Sequence, residues 1–145
     1  MAFIRGGNAR QLLELNIDRL FLIDPYLEYK RHSQEELDPI KTAMLSYVLR
    51  DPQGWRVNFI LQHSIVAAKL FDDLYFDYVY IDGDHSLEAV MNDMVAWFPK
   101  VRDGGVLAGH DYRGDVKKAV DEYCSLHGKF IQTWDIDGDW LIIKR

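Results

Sequence analysis

The sequence has a single cysteine, Cys124, and only four prolines among its 145 residues. One cysteine excludes an intramolecular disulfide, and its place in a helix-like segment indicates a packing residue in a protein of a reducing compartment. The chain also lacks internal repeats, low-complexity segments and linkers, which excludes repeat architectures and long disordered connections. Its length suits one core, so the sequence predicts a single domain, residues 1–145.

Long apolar runs and an excess of positive charge are absent as well. No segment approaches the roughly 18 apolar residues of a membrane span, and the N-terminal "MAFIRGG" has no apolar signal region. The balance of 17 basic against 23 acidic residues gives a net charge of −6, which argues against nucleic acid and anionic membranes as partners. We therefore expect a cytoplasmic protein whose partner is a small polar molecule.

Short apolar runs alternate with helical patterns along the chain, in a composition that is 48% hydrophobic and 13% aromatic. This alternation predicts an α/β fold built from βαβ units, with a mostly parallel sheet. The tail "KFIQTWDIDGDWLIIKR" predicts a C-terminal antiparallel hairpin that turns at "DIDGD". Strands are predicted at "RLFLID", "VNFILQ", "FDYVYID" and "GVLAGHD", and helices at "NARQLLEL", "PIKTAMLSYVLR", "SIVAAKLF", "SLEAVMNDMVAWFP" and "DVKKAVDEYCSLHG".

Polar residues follow four of the predicted strands. In an open parallel sheet, ligands bind outside the carboxyl ends of the strands, so these residues are the main functional signal. Each also has a structural interpretation, because Asp or Ser after a strand often caps the next helix. The strand-end residues are Asp24, Gln62 with Ser64, Asp82 with His85, and His110 with Asp111.

Asp82 and Asp111 end strands that we expect to be neighbours, so their carboxylates and His110 could share one divalent cation. Oxygen ligands favour magnesium or manganese, whereas a histidine also admits zinc or iron. His85 follows Asp82 by one short turn, where it could accept a proton from a hydroxyl. A turn, a metal site and a catalytic base all remain open interpretations of "IDGDH".

Asp24 has the position and chemistry of an acid that accepts hydrogen bonds from ribose hydroxyls. Gly6 and Gly7 precede a predicted helix and would let backbone N–H groups approach a ligand. The stretch "RGGNA" is not a dinucleotide fingerprint, since no strand precedes it.

The segment "FDYVYIDGDHSLEAVMNDMVAWFPKVRDGGVLAGHDYRGDVKKAVDEYC" closely resembles class I S-adenosylmethionine-dependent methyltransferases. The resemblance is to the group with an "IDGDHSYE…GGxLxGHDY" pattern, which is related to metal-dependent O-methyltransferases of the catechol and macrocin type. "RGGNARQLLEL" and "LFLIDPYLEY" match the same group, so the likeness covers nearly the whole chain. It implies a Rossmann-like methyltransferase fold.

The resemblance also implies residue roles. His85 takes the place of the general base, and Asp82, His110 and Asp111 take the places of the metal ligands. His110 departs from the carboxylate that is usual there, so the resemblance leaves the metal open. The expected cofactor is S-adenosylmethionine, with contacts from Gly6, Gly7, Asp24, Gln62, Ser64 and Asp82.

Relatives have a central strand of the type "VEIG" before the residues that match "FIRGGN". We therefore expect a chain truncated at its N-terminus, with the family's first strand missing. Unpaired backbone groups beside such a gap would each cost roughly 1–3 kcal/mol. Three outcomes remain open: "MAFI" bends back as a substitute strand, the two flanking strands close together, or another chain, as in a homo-oligomer, fills the gap.

The leading functional hypothesis is methyl transfer to a hydroxyl of a small molecule, with metal assistance as an option. One alternative is a non-catalytic or fragmentary methyltransferase-like domain. Another is a metal-dependent hydrolase that uses Asp82, His85, His110 and Asp111. The hydrolase leaves Asp24 and the overall match unexplained.

Overall fold

The computed structural model of the protein describes residues 17–28, 33–50, 52, 54–129, 131–134 and 138–145. The predicted helix at residues 8–15 and the candidate ligand residues Gly6 and Gly7 lie outside the described residues. The chain divides into two compact units, Ala2–His63 and Ser64–Arg145. Within the described helices, none combines the length and the hydropathy that a membrane crossing needs.

In the unit Ala2–His63, strands β1 (Leu20–Ile23) and β2 (Val57–Ile60) pair in parallel. The apolar run of β1 is largely buried. The backbone N–H of Asp24 donates to the carbonyl of Ile60 at 3.2 Å and extends the ladder past the end of β1. The pairing fixes the position of Asp24 beside the end of β2.

Helix α1 (Gln34–Arg50) connects β1 with β2 and begins before the predicted start near Pro39. The backbone N–H of Ser33 donates to Glu36 Oε2 at 3.0 Å, and the carbonyl of Ser33 accepts from the N–H of Glu36 at 3.2 Å. This is one half of a capping box, and it satisfies N-terminal groups that a helix otherwise leaves unpaired. The prediction of a helix that starts near Pro39 was wrong, since Pro39 lies inside α1.

The unit Ser64–Arg145 contains a four-stranded sheet in the order β3, β4, β6, β5. Strands β3 and β4 pair in parallel, whereas β6 pairs antiparallel with both β4 and β5. The α/β fold and the C-terminal antiparallel hairpin are confirmed. The elements are α2 (Ser64–Ala68), β3 (Phe76–Ile81), α3 (Leu87–Trp97), β4 (Val101–Gly109), α4 (Gly114–His127), β5 (Ile131–Trp134) and β6 (Asp139–Ile143).

Two strand details differ from the sequence prediction. Strand β4 begins at Val101, although "KVRDGG" was predicted as a turn. Gly104 has φ +74°, and its N–H donates to the carbonyl of Lys144 at 2.8 Å, so the stretch pairs with the end of the chain. Strand β3 was predicted to be buried on both faces, but Asp77 and Tyr78 in its first half are exposed.

The core of this unit lies where β4 and β6 meet the helices. Leu107 and Ile142 are fully buried on these strands, and Met94 is fully buried on α3. The indole of Trp140, 1% exposed, lies against Gly109. A Cβ at Gly109 would lie 2.4 Å from Trp140 Cζ2 and 2.7 Å from the carbonyl oxygen of Ile81. Only glycine therefore fits at the end of β4.

We expect Gly109→Ala to lower the free energy of unfolding by about 3 kcal/mol, because the added methyl would overlap both Trp140 and the backbone of β3. The matched control is Gly114→Ala, since a Cβ there would meet nothing within 4 Å. Gly114 has φ +54°, so its substitution should cost only about 1 kcal/mol of backbone strain. Urea denaturation measures both variants, and equal losses would contradict the packing described for Gly109.

Candidate functional site at the strand ends

The carboxylate of Asp24 follows β1 and is partly buried. Its Oδ1 accepts a hydrogen bond from the backbone N–H of Tyr26 at 2.7 Å. Burial raises the pKa of Asp24, against the lowering effect of this hydrogen bond. No other hydrogen bond to Asp24 is seen among residues of the described ranges. The contact of Asp24 with a cofactor stays a prediction.

Gln62 follows β2, where its Oε1 accepts from the backbone N–H of His63 at 2.9 Å. The amide nitrogen of Gln62 makes no hydrogen bond with a described residue. The position at the strand end is the predicted one. Its contact with a cofactor stays a prediction.

Ser64 opens α2, and its hydroxyl belongs to a buried polar network. Trp97 Nε1 donates to Ser64 Oγ at 2.7 Å, and the Ser64 hydroxyl donates to the carboxylate of Asp93. Trp97 and Asp93 are 1% and 8% exposed. Burial raises the pKa of Asp93, and the hydrogen bond from Ser64 opposes that shift. The hydroxyl that was predicted to face the cofactor thus bonds to two buried side chains of α3.

The pairing of β3 with β4 sets Ile81 opposite Gly109, so the residues that follow these strands lie at one edge of the sheet. The side chains there form ion pairs and hydrogen bonds with one another. We call this group the strand-end cluster; it consists of Asp82, His85, His110, Asp111 and Asp139.

Within the cluster, His85 lies between two carboxylates. Its Nε2 is 3.5 Å from Asp82 Oδ1, and its Nδ1 is 3.2 Å from Asp111 Oδ2. Burial raises the pKa of Asp82, although the neighbouring imidazoles of His110 and His85 act in the opposite direction. The predicted base and two of the predicted metal ligands are therefore neighbours, as the sequence suggested.

Asp111 has φ +57°, a left-handed backbone that a residue with a Cβ adopts at a cost. Arg113 Nη2 lies 2.7 Å from Asp111 Oδ1, and His110 Nε2 lies 3.6 Å from the same oxygen. Strained backbone of this kind is concentrated at functional sites. It directs the Asp111 carboxylate into the cluster.

Asp139 is the member of the cluster that sequence reasoning missed. Its Oδ1 lies 2.8 Å from His110 Nδ1 and accepts a hydrogen bond from the Tyr80 hydroxyl at 3.0 Å. The hydrogen bond with Asp139 raises the pKa of His110, while burial raises that of Tyr80. "DIDGD" was interpreted only as a hairpin turn. Antiparallel pairing sets Trp140 opposite Gly109. This brings Asp139, the last residue of "DIDGD", beside the end of β4.

Asp84 has the structural role that the sequence suggested, since its Oδ1 accepts from the backbone N–H of Ser86 at 2.9 Å. This bond closes the turn before α3. The Ser86 side chain itself makes no capping hydrogen bond. Asp84 thus shapes the loop that carries His85.

The three predicted metal ligands, Asp82, His110 and Asp111, do not form a ligand group. Across the described part of the chain, no three His, Cys, Asp or Glu residues are arranged to hold a metal ion. Instead, Asp111 pairs with Arg113 and His85, and His110 Nδ1 faces Asp139. In this structure the side chains pair with one another and do not converge on one point, so the metal site stays a prediction.

The comparisons with known proteins agree with this fold. A family described as a methyltransferase domain matches residues 5–112. This match covers most of the sequence, and the chain belongs to that family. The methyltransferase class predicted from the sequence is thereby confirmed. Among curated proteins, none matches the sequence.

Solved structures of the same architecture span distant bacteria. A protein from Corynebacterium glutamicum superposes with a TM-score of 0.63 at 18% identity, over 87% of this chain and 60% of its own. A SAM-dependent O-methyltransferase from Thermotoga maritima superposes with a TM-score of 0.67 at 11% identity, over 98% of this chain and 57% of its own. An rRNA methylase from Streptococcus thermophilus superposes with a TM-score of 0.60 at 15% identity, over 94% of this chain and 78% of its own. The likeness shows the Rossmann-like methyltransferase fold, and this chain spans less than two thirds of the first two proteins.

Ser64→Ala should lower the free energy of unfolding by about 1–3 kcal/mol, because it leaves Trp97 Nε1 and the Asp93 carboxylate buried without this partner. Ser86→Ala is the control: the hydroxyl makes no capping bond, and the change should stay within about 0.5 kcal/mol. Denaturant unfolding measures both. A neutral Ser64→Ala would show that the network does not stabilise the unit.

Proposed function

We propose that this domain transfers a methyl group from S-adenosylmethionine to a hydroxyl of a small molecule. The observation that carries the proposal is membership of the methyltransferase family together with a partly buried acid, Asp24, directly after β1. The sulfonium of the cofactor supplies an electrophilic methyl group. Oxygen attack on that methyl breaks the sulfur–carbon bond and leaves S-adenosylhomocysteine, while the hydroxyl proton passes to a base.

Asp24 is suited to the ribose hydroxyls. An ionised carboxylate is a hydrogen-bond acceptor only, and hydroxyl pairs are donors that match its two oxygens. One oxygen already accepts from Tyr26, which holds the side chain in one orientation. The residue is therefore preorganised before a ligand arrives.

His85 is the predicted base. It is 42% exposed, so an acceptor molecule can reach it, and the carboxylates of Asp82 and Asp111 stabilise the positive charge that it gains with the proton. The roles given to His85, Asp82 and Asp111 require no metal. Proton removal and positioning by these side chains carry the reaction.

A small acceptor is favoured over RNA. The net charge of −6 opposes binding to a phosphate backbone, and three carboxylates stand in the cluster. A hydroxyl compound without phosphates meets no such repulsion.

Asp24→Asn should weaken S-adenosylhomocysteine binding by about tenfold or more, since hydrogen bonds to a charged carboxylate contribute roughly 1.5–3 kcal/mol. Asp18→Asn, an exposed acid just before β1, is the matched control and should bind like the wild type. Isothermal titration calorimetry measures all three proteins. If the wild-type chain does not bind, a non-catalytic domain is favoured, and if Asp24→Asn binds normally, Asp24 is not the ribose ligand.

His85→Ala should reduce turnover by about a hundredfold or more, because general base catalysis typically contributes that much. Its affinity for S-adenosylhomocysteine should remain close to that of the wild type. The control is His127→Ala, whose exposed imidazole lies at the C-terminal end of α4. Formation of S-adenosylhomocysteine across a panel of phenols and alcohols is the assay, and unchanged turnover would remove His85 from the mechanism.

A further inference from the structure

The carboxylate of Asp139 is held between an aromatic hydroxyl and an imidazole. Its Oδ1 accepts from the Tyr80 hydroxyl at 3.0 Å and lies 2.8 Å from His110 Nδ1. An ionised carboxylate has no hydrogen to donate, so the hydrogen of the second bond belongs to Nδ1 of His110. The geometry thus selects one of the two neutral tautomers of this histidine.

The support for this arrangement is rigid. Asp139 is the first residue of β6, and the next residue, Trp140, is fully buried against Gly109 of β4. Tyr80 belongs to β3 and is 6% exposed. The N–H of His110 donates to the carbonyl of Ile81 at 3.1 Å, so its backbone is fixed as well. Side chains that project from paired strands hold a geometry more closely than side chains on loops.

The two imidazoles of the cluster differ in the partners of their ring nitrogens. Both nitrogens of His85 face carboxylates, at 3.5 Å and 3.2 Å. His110 has one nitrogen bonded to Asp139, and its Nε2 lies 3.6 Å from the nearest paired oxygen, Asp111 Oδ1, beyond hydrogen-bond length. In this tautomer the lone pair of His110 lies on Nε2, and no hydrogen bond with a described residue uses it.

We propose that Asp139 is a positioning residue, which holds His110 as the Nδ1–H tautomer and so presents the Nε2 lone pair to the hydroxyl of the methyl acceptor. The part played by the acceptor rests on the proposed function. Nε2 accepts a hydrogen bond from the hydroxyl and orients its oxygen. The acceptor must accordingly be a hydrogen-bond donor, such as an alcohol or a phenol, and not an ether or a thioether.

The tautomer is directly measurable from the ¹⁵N shifts of the imidazole in a ¹⁵N-histidine-labelled full chain. At about pH 9, above the ordinary histidine pKa of roughly 6.5, we expect the His110 signal of the wild type to show Nδ1–H and an unprotonated Nε2. His110→Gln assigns the signal by its loss. An Nε2–H tautomer in the wild type would overturn the proposal.

Substitutions then separate positioning from simple support of the fold. Asp139→Ala should release the ring, so that the ¹⁵N shifts move to those of a mixture of tautomers, and Asp139→Glu should restore Nδ1–H. Tyr80→Phe is the matched control, because it removes the other donor to the same oxygen and leaves the carboxylate in place. It should keep the wild-type tautomer. Asp139→Leu, of similar size and without a hydrogen-bond acceptor, replaces Asp139→Ala if that variant does not fold.

Loss of the Nδ1–H preference in Tyr80→Phe, or its retention without the Asp139 carboxylate, would contradict the proposal. S-adenosylhomocysteine affinity serves as the separate test of the proposed function, and it should change by less than about twofold in the folded Asp139 variants. A wild-type chain that binds no cofactor but shows the Nδ1–H tautomer would refute the proposed function alone. A wild-type chain that binds S-adenosylhomocysteine but does not show the Nδ1–H tautomer would refute the role of Asp139 alone.

Discussion

The close approach of three strands at Gly109 is the constraint on which the strand-end cluster depends. Ile81 of β3 and Trp140 of β6 both face Gly109, and a side chain at that position would push them apart. Because position 109 is glycine, three residues meet at one edge of the sheet: the residue that follows β3, the residue that follows β4 and the first residue of β6. These residues are Asp82, His110 and Asp139. An apolar packing contact thus determines where the polar groups stand.

The polar side chains at this edge pair with one another. Two imidazoles and the Arg113 guanidinium lie among three carboxylates. Ion pairs of this exposure contribute little to stability, so their importance is in orientation. Asp111 adopts a left-handed backbone to reach His85, and Asp139 bonds to both Tyr80 and His110.

Local patterns predicted much of the fold and part of the site. Apolar runs followed by polar residues identified the ends of β1 to β4, and hence Asp24, Gln62, Asp82 and His110. Contacts between distant residues were not predictable in that way. The bond between Ser64 and Trp97 joins residues 33 apart, and that between Tyr80 and Asp139 joins residues 59 apart. The start of α1 was mispredicted because Pro39 outweighed the Ser33 and Glu36 capping pattern, which the sequence does contain.

The proposed methyl transfer requires that Asp24, the acid after β1, bind the ribose of S-adenosylmethionine. A crystal structure of the chain grown with S-adenosylhomocysteine tests it most directly. We expect the ribose hydroxyls to lie within hydrogen-bond distance of the Asp24 carboxylate. A cofactor bound with its ribose away from Asp24, or crystals in which saturating S-adenosylhomocysteine leaves Asp24 bonded only to Tyr26, would contradict it.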